Sequence, residues 1–208
     1  MREREIPLFS LESQTPVREF DFLGITIQFE MCYTNILQVL DLSKIPLHAK
    51  ERQDKDPIVI GGGPCTYNPE PLAEFFDLFY IGEGETVYDT LFDVYKQCRR
   101  EGRTRTEFLE RAARIEGIYV PQFYEAEYNE DGTLAAFYPT NPHAPSVVKK
   151  QIVMDVTHAP YPKLRLFLLS KQYKTELFWK FREVVYVDAD SVRPACCTVL
   201  QEREMWNT

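Results

Sequence analysis

Pro57-Ile58-Val59-Ile60-Gly61-Gly62-Gly63-Pro64-Cys65 decides the fold of this chain. A continuous β-branched run that spills into glycines reads as a buried strand of a parallel sheet, residues 57–60, followed by a bare-backbone turn. Phe79-Tyr80-Ile81-Gly82-Glu83-Gly84-Glu85 repeats the arrangement, with a strand over 78–81. Between the two, Asn68-Pro69-Glu70-Pro71 predicts a short helix over 69–76, with Asn68 as cap and Pro69 at its first position. Two strands that end in glycine place free N–H groups at the carboxyl edge of the sheet, where open α/β folds bind ligands. The predicted site is a nucleotide-like or cofactor-tail cradle made of Gly61, Gly62, Gly63, Pro64, Thr66, Tyr67, Gly82, Glu83, Gly84 and Glu85. Each motif also has a plainer reading. The triple glycine can be a tight turn that holds nothing, and Glu85 can simply oppose a helix dipole. Neither G-x-G-x-x-G nor the Lys-Ser/Thr of a phosphate-binding loop is present.

Working outward, residues 20–29 (FDFLGITIQF) read as a buried strand, and residues 34–42 as a helix with Thr34 as N-cap. Residues 85–101 form an amphipathic helix closed by Gly102, and 104–115 another, opened by the capping box Thr104-Arg105-Thr106-Glu107. From Gly117 the period changes. Residues 118–121 predict a strand, and 124–128 and 134–138 a hairpin about Asp131-Gly132. The expected class is α/β: a doubly wound, mostly parallel, Rossmann-like sheet, incomplete at the N-terminus, with a hairpin appendage. The division is 1–116 for the sheet domain, 117–150 for the strand and hairpin, 151–162 for a linker, and 163–208 for a tail.

A chain of 208 residues, 44% hydrophobic, suits one domain plus an appendage. Its net charge of −8 argues against nucleic-acid binding, which needs a basic face. No apolar run reaches the ~18 residues of a membrane span, and Met1-Arg2-Glu3-Arg4-Glu5 is unlike a signal peptide. Cys32, Cys65, Cys98, Cys196 and Cys197 form no disulfide framework, so a reducing cytoplasm is expected. Cys65, beside a helix N-terminus, is a candidate thiolate, but no histidine has matching spacing. His48, His143 and His158 lack metal-site spacing and read as solvated or capping residues. No catalytic or metal-binding residue is assigned.

The glycine motifs resemble the cobalamin-binding, Rossmann-like half of B12-type radical SAM proteins, in which a GGP…PE turn and a GEGE turn bracket one end of the ligand site. The match is nearer to one uncharacterised branch of large bacterial radical SAM proteins. It is carried by residues 6–13 (IPLFSLES), Tyr33-Thr34-Asn35-Ile36-Leu37, Gly62-Gly63-Pro64-Cys65 with Asn68-Pro69-Glu70-Pro71-Leu72-Ala73, Gly82-Glu83-Gly84-Glu85, and Glu116-Gly117-Ile118-Tyr119-Val120-Pro121, and it spans residues 1–162. It implies a domain that in the intact family precedes a radical SAM core, whose C-x3-C-x2-C cysteines hold a 4Fe–4S cluster with its fourth iron open to S-adenosylmethionine. It also implies cobalamin as a ligand of the cradle.

Three departures qualify the resemblance. Family members carry further sheet ahead of this segment, so Met1 is expected to fall inside the domain. The Asp-x-His-x-x-Gly motif that ligates cobalt in many cobalamin domains is absent. After Ala159-Pro160-Tyr161-Pro162 the cluster motif does not follow. Reading the last base of each codon with the first two of the next offers an explanation. Phe178-Trp179 then gives Leu, Trp179-Lys180 gives Glu, and Val184-Val185, Asp188-Ala189 and Ser191-Val192 each permit cysteine, at C-x3-C-x2-C spacing. This reading puts a frameshift near residues 161–164. Its rival is a genuine C-terminal helix over 164–187, whose Leu164, Leu166, Phe167, Leu168, Leu169, Phe178 and Trp179 pack on the sheet.

The expected function is therefore that of a cofactor-binding-type N-terminal domain of a radical SAM protein, inactive alone. The alternative is a docking or oligomerisation module that binds no cobalamin. A free-standing nucleotide-binding enzyme is disfavoured, since no acid/base or nucleophile constellation stands out.

Overall fold

The computed structural model describes residues 1–11, 13–84 and 87–154. The tail with Cys196 and Cys197, and Glu85 of the second glycine turn, lie outside the described residues, and the linker is described only to Met154, so that His158 lies outside them too.

Four strands form the central sheet: β1 Phe22–Thr26, β2 Ile58–Gly62, β3 Leu78–Tyr80 and β4 Ile118–Tyr119. Their spatial order is β1-β2-β3-β4. The first three are parallel and β4 pairs antiparallel with β3. Among the described residues three α-helices accompany them: α1 Tyr33–Leu42, α2 Val87–Arg100 and α3 Arg105–Ala112.

Side chains alternate across the sheet, and both faces are covered. Phe22, Ile58, Ile60, Leu78 and Tyr80 pack with Leu91 and Cys98 of α2 and with Phe108, Leu109 and Ala112 of α3. Leu23, Ile25, Val59 and Phe79 pack with Ile36, Val39 and Leu40 of α1 and with Leu72 and Phe76. Burial on two faces explains why β2 reads as an unbroken apolar run rather than an alternation. Both parallel crossovers, through α1 and through residues 70–75, contribute to the second of these cores. The chain reaches the other face only after β3. The strand order is therefore sequential, and no reversal of order, the usual ligand crevice of a doubly wound sheet, occurs among the described residues.

Several boundaries differ from those predicted. β2 runs through Gly61 and Gly62, which pair with Ile25 and Thr26. The segment after Asn68 is a 3₁₀ helix, Glu70–Phe75, with Pro69 at its cap position and no side-chain cap bond. Prolines at 69 and 71 remove donors and disfavour the α conformation before them, which leaves too few residues for an α-helix. Thr34 lies inside α1. A 3₁₀ turn, Glu30–Cys32, feeds directly into that helix, so no extended residue stands where a capping hydroxyl would work. The capping box at Thr104 and Glu107 is present as predicted. So is the antiparallel hairpin, β5 Tyr124–Tyr128 with β6 Leu134–Pro139. No described helix is long and apolar enough to cross a membrane.

Candidate functional site

The carboxyl ends of β1, β2 and β3 lie side by side, so the two glycine motifs do share one edge. At Gly61 an added Cβ would stand 2.5 Å from Cδ1 of Phe79, so this glycine makes room for a core ring. Gly63 has φ +97°, a conformation open mainly to glycine, and a Cβ there would meet the Ile27 carbonyl oxygen at 2.9 Å. The Cys65 N–H donates to that same oxygen, which ties the turn to the end of β1. Only Gly62 of the three has open space, with nothing within 4 Å of its Cβ position. Pro64 opens a 3₁₀ turn, Pro64–Tyr67. Thr66 is buried, and its hydroxyl donates to the Gly63 carbonyl at 2.7 Å. Tyr67 is 67% exposed at the rim.

At the second turn the space beside glycine is filled by the chain itself. Gly82 has φ +127°, and a Cβ there would collide with the carbonyl oxygen of Gln151. Gly82 and Gln151 form a parallel bridge. The Gln151 N–H donates to the Ile81 carbonyl at 3.0 Å, and the Glu83 N–H donates to the Gln151 carbonyl at 3.1 Å. The Glu83 carboxylate accepts the Val153 N–H at 2.6 Å, while the Tyr80 hydroxyl donates to the Glu83 carbonyl. Gly84 gives way to the ring of Tyr88, 2.7 Å from its Cβ position. Lys150 Nζ stands over the Tyr67 ring, 5.7 Å from its centroid.

The surrounding chemistry is that of packing. Burial, then Glu30 and Cys32, push the Cys65 thiol up, the opposite of the shift a nucleophilic thiolate needs. Burial likewise raises the Tyr119 phenol, helped by its hydrogen bond to Glu70. That bond joins the Asn68-Pro69-Glu70-Pro71 and Gly117-Ile118-Tyr119 motifs, far apart in sequence, across the sheet edge. His48 Nδ1 lies 3.4 Å from the Glu74 carboxylate. His143 Nδ1 lies 2.8 Å from Arg114 Nη2. Among the described residues no cluster of His, Cys, Asp or Glu could hold a metal ion. Cys98 packs on the α2–α3 side and Cys65 against the opposite core, so these thiols do not converge as cluster ligands would. Of the five cradle glycines among the described residues, Gly62 alone keeps open space at its Cβ position. Phe79, the end of β1, Gln151 and Tyr88 fill the room that Gly61, Gly63, Gly82 and Gly84 would offer a cobalamin tail.

A buried polar network was not among the sequence candidates. Asp77, immediately before β3, is 1% exposed. Its Oδ2 accepts from Arg52 Nη1 at 2.8 Å and from the Val59 N–H at 2.7 Å, and lies 2.7 Å from Arg105 Nη2. Arg52 also donates to the carbonyls of Pro46, Leu47 and Phe75, and Arg105 to those of Asp56 and Pro57. This network sits at the amino end of the sheet, away from the glycines. The one signal in the sequence is an aspartate directly before a fully apolar strand.

The family model described as "Radical SAM proteins, N-terminal" matches residues 1–121. An uncharacterized protein of Methanocaldococcus jannaschii is 25% identical over 194 residues, which cover 92% of this chain and 40% of that protein. The chain thus spans about two fifths of the length of this curated relative, and the similarity reaches past Pro162. No solved structure matches the chain. In full-length radical SAM proteins the family implies a 4Fe–4S cluster and S-adenosylmethionine. With more than half its length matched, the chain belongs to the family of N-terminal regions of radical SAM proteins.

Proposed function

We propose that this chain is a non-catalytic accessory domain of a radical SAM protein, acting in a reducing cytoplasm, and that its carboxyl sheet edge serves docking rather than cofactor binding. One observation carries the reading: protein atoms already occupy the space beside Gly61, Gly63, Gly82 and Gly84. The partner is the radical SAM core of the intact protein, which supplies the cluster and the chemistry. Nucleic acid and membrane are not partners. Hydroxocobalamin titrated into the purified chain, followed by its visible spectrum, is expected to give no saturable change. Saturable binding weakened by Gly62→Val would restore the cradle.

That second reading has its own support, since Gly62 meets open space where its Cβ would stand. The displaced frame for residues 163–208 is a separate proposal. It rests on the C-x3-C-x2-C spacing that the codons permit, and the similarity reaching past Pro162 in the written frame counts against it. Sequencing the locus decides: without three in-phase cysteine codons in the displaced frame, the frameshift is refuted.

A further inference from the structure

We infer that the Gly82-Glu83-Gly84 turn is a receptor for an extended backbone segment, and that its ligand is the chain's own linker, residues 150–153. The inference builds on the accessory-domain reading by naming what the edge holds.

The contacts are those of strand addition, in which main-chain hydrogen bonds give affinity and close approach gives selectivity. Gln151 lies alongside Gly82 in a parallel bridge, and its N–H and carbonyl are both used, by Ile81 and Glu83. Gly117 packs against the same residue, its Cβ position 3.1 Å from the Gln151 Cβ and 2.9 Å from the Ile81 carbonyl oxygen. Glycine at 82 and 117 therefore lets the linker approach on both sides. Two residues on, the Glu83 carboxylate fixes the Val153 N–H. One residue before, Lys150 reaches over Tyr67 of the first glycine loop. A four-residue strap thus touches the ends of both glycine motifs. Glycine at 82 is thus explained by a peptide backbone and glycine at 84 by the Tyr88 ring, with no cofactor needed.

Hydrogen exchange on the full chain tests the latch. The Gln151 and Val153 amides are expected to exchange at least about tenfold more slowly than in an unstructured peptide. Gly82→Val drives a side chain into the Gln151 carbonyl and should abolish that protection, leaving the Val59 and Ile60 amides as slow as before. Gln151→Pro removes the donor from the linker side, and should release Val153 with the sheet intact. Trypsin at Lys149 and Lys150, both exposed, should cut the Gly82→Val chain at least about tenfold faster than the native chain, and the Gln151→Pro chain faster at Lys149 alone, because trypsin does not cleave a Lys–Pro bond. Free-peptide exchange at Gln151 and Val153 in the native chain would overturn the latch, as would unchanged protection and cleavage in both variants. Hydroxocobalamin binding with these amides still protected would refute the accessory-domain reading alone, and would support the latch as independent of it.

Discussion

Replacing Gly61 by alanine places a methyl carbon 2.5 and 2.7 Å from ring carbons of Phe79 and 3.1 Å from a ring carbon of Phe76. Carbon atoms prefer about 3.5–4.0 Å, so the Phe79 ring must retreat by roughly 1 Å. It has little freedom to do so. Phe79 is fully buried, with Phe76 4.8 Å away and Tyr119 stacked at 6.3 Å, centroid to centroid. Overpacking of this kind costs about 1–3 kcal/mol. Gly62→Ala, one residue on, meets nothing within 4 Å and needs no positive φ. Restricting the unfolded chain should make it neutral or stabilising by about 0.4–1 kcal/mol. The two variants should differ by about 2 kcal/mol, or about 1 M in urea midpoint for an m-value near 2 kcal/mol per M. Urea titration followed by far-UV circular dichroism measures this. Equal midpoints, or a lower one for Gly62→Ala, would refute the assignment of Gly61 to packing.

Asp77→Ala leaves two guanidinium groups without their shared carboxylate. It should cost about 3–5 kcal/mol, read as a large fall in the same urea midpoint, whereas a loss below about 1 kcal/mol would count against the network. Tyr119→Phe removes the bond to Glu70 and should cost about 1–2 kcal/mol. Because burial raises the Tyr119 and Tyr95 phenols, both should stay protonated in an ultraviolet titration at the ordinary value of 10.0, and the stability they contribute is lost as pH rises from that value toward the raised ones. Hydrogen bonds from Arg111, Gln97 and Arg103 hold Glu101 down to about 2. Its folded pKa is depressed, so its contribution is present above the ordinary value near 4.5 and fades as pH falls toward 2. Glu101→Gln should flatten the acid limb of the stability profile over that window, and an unchanged limb would contradict the assignment.

What could be read from the residues was local. The run Ile58-Val59-Ile60 with its glycines, the Thr104–Glu107 box and the Asp131-Gly132 turn each contain their own physical cause within a few positions. The meaning of the glycines was less legible, because it depends on what stands opposite them. Gly61 answers to Phe79 and Gly82 to Gln151, and no local pattern links 82 with 151. The same holds for Asp77, whose partners Arg52 and Arg105 lie 25 and 28 residues away. The 70–75 segment misled in a different way. Its prolines suit a helix start, but their number leaves no room for an α-helix to propagate.

The aspartate before β3 also bears on how the domain assembles. Its carboxylate gathers the loop around Arg52, the start of β2, the start of β3 and the first turn of α3. With only some of those donors in place, a charged group would be buried at a loss. The amino end of the sheet therefore closes in a single cooperative step, after segments distant in the chain have met. A nucleus of this kind folds slowly for its size, since loop closure precedes reward. The β5–β6 hairpin, with its strands mostly exposed, stands outside that step and can open and reclose while the sheet stays folded.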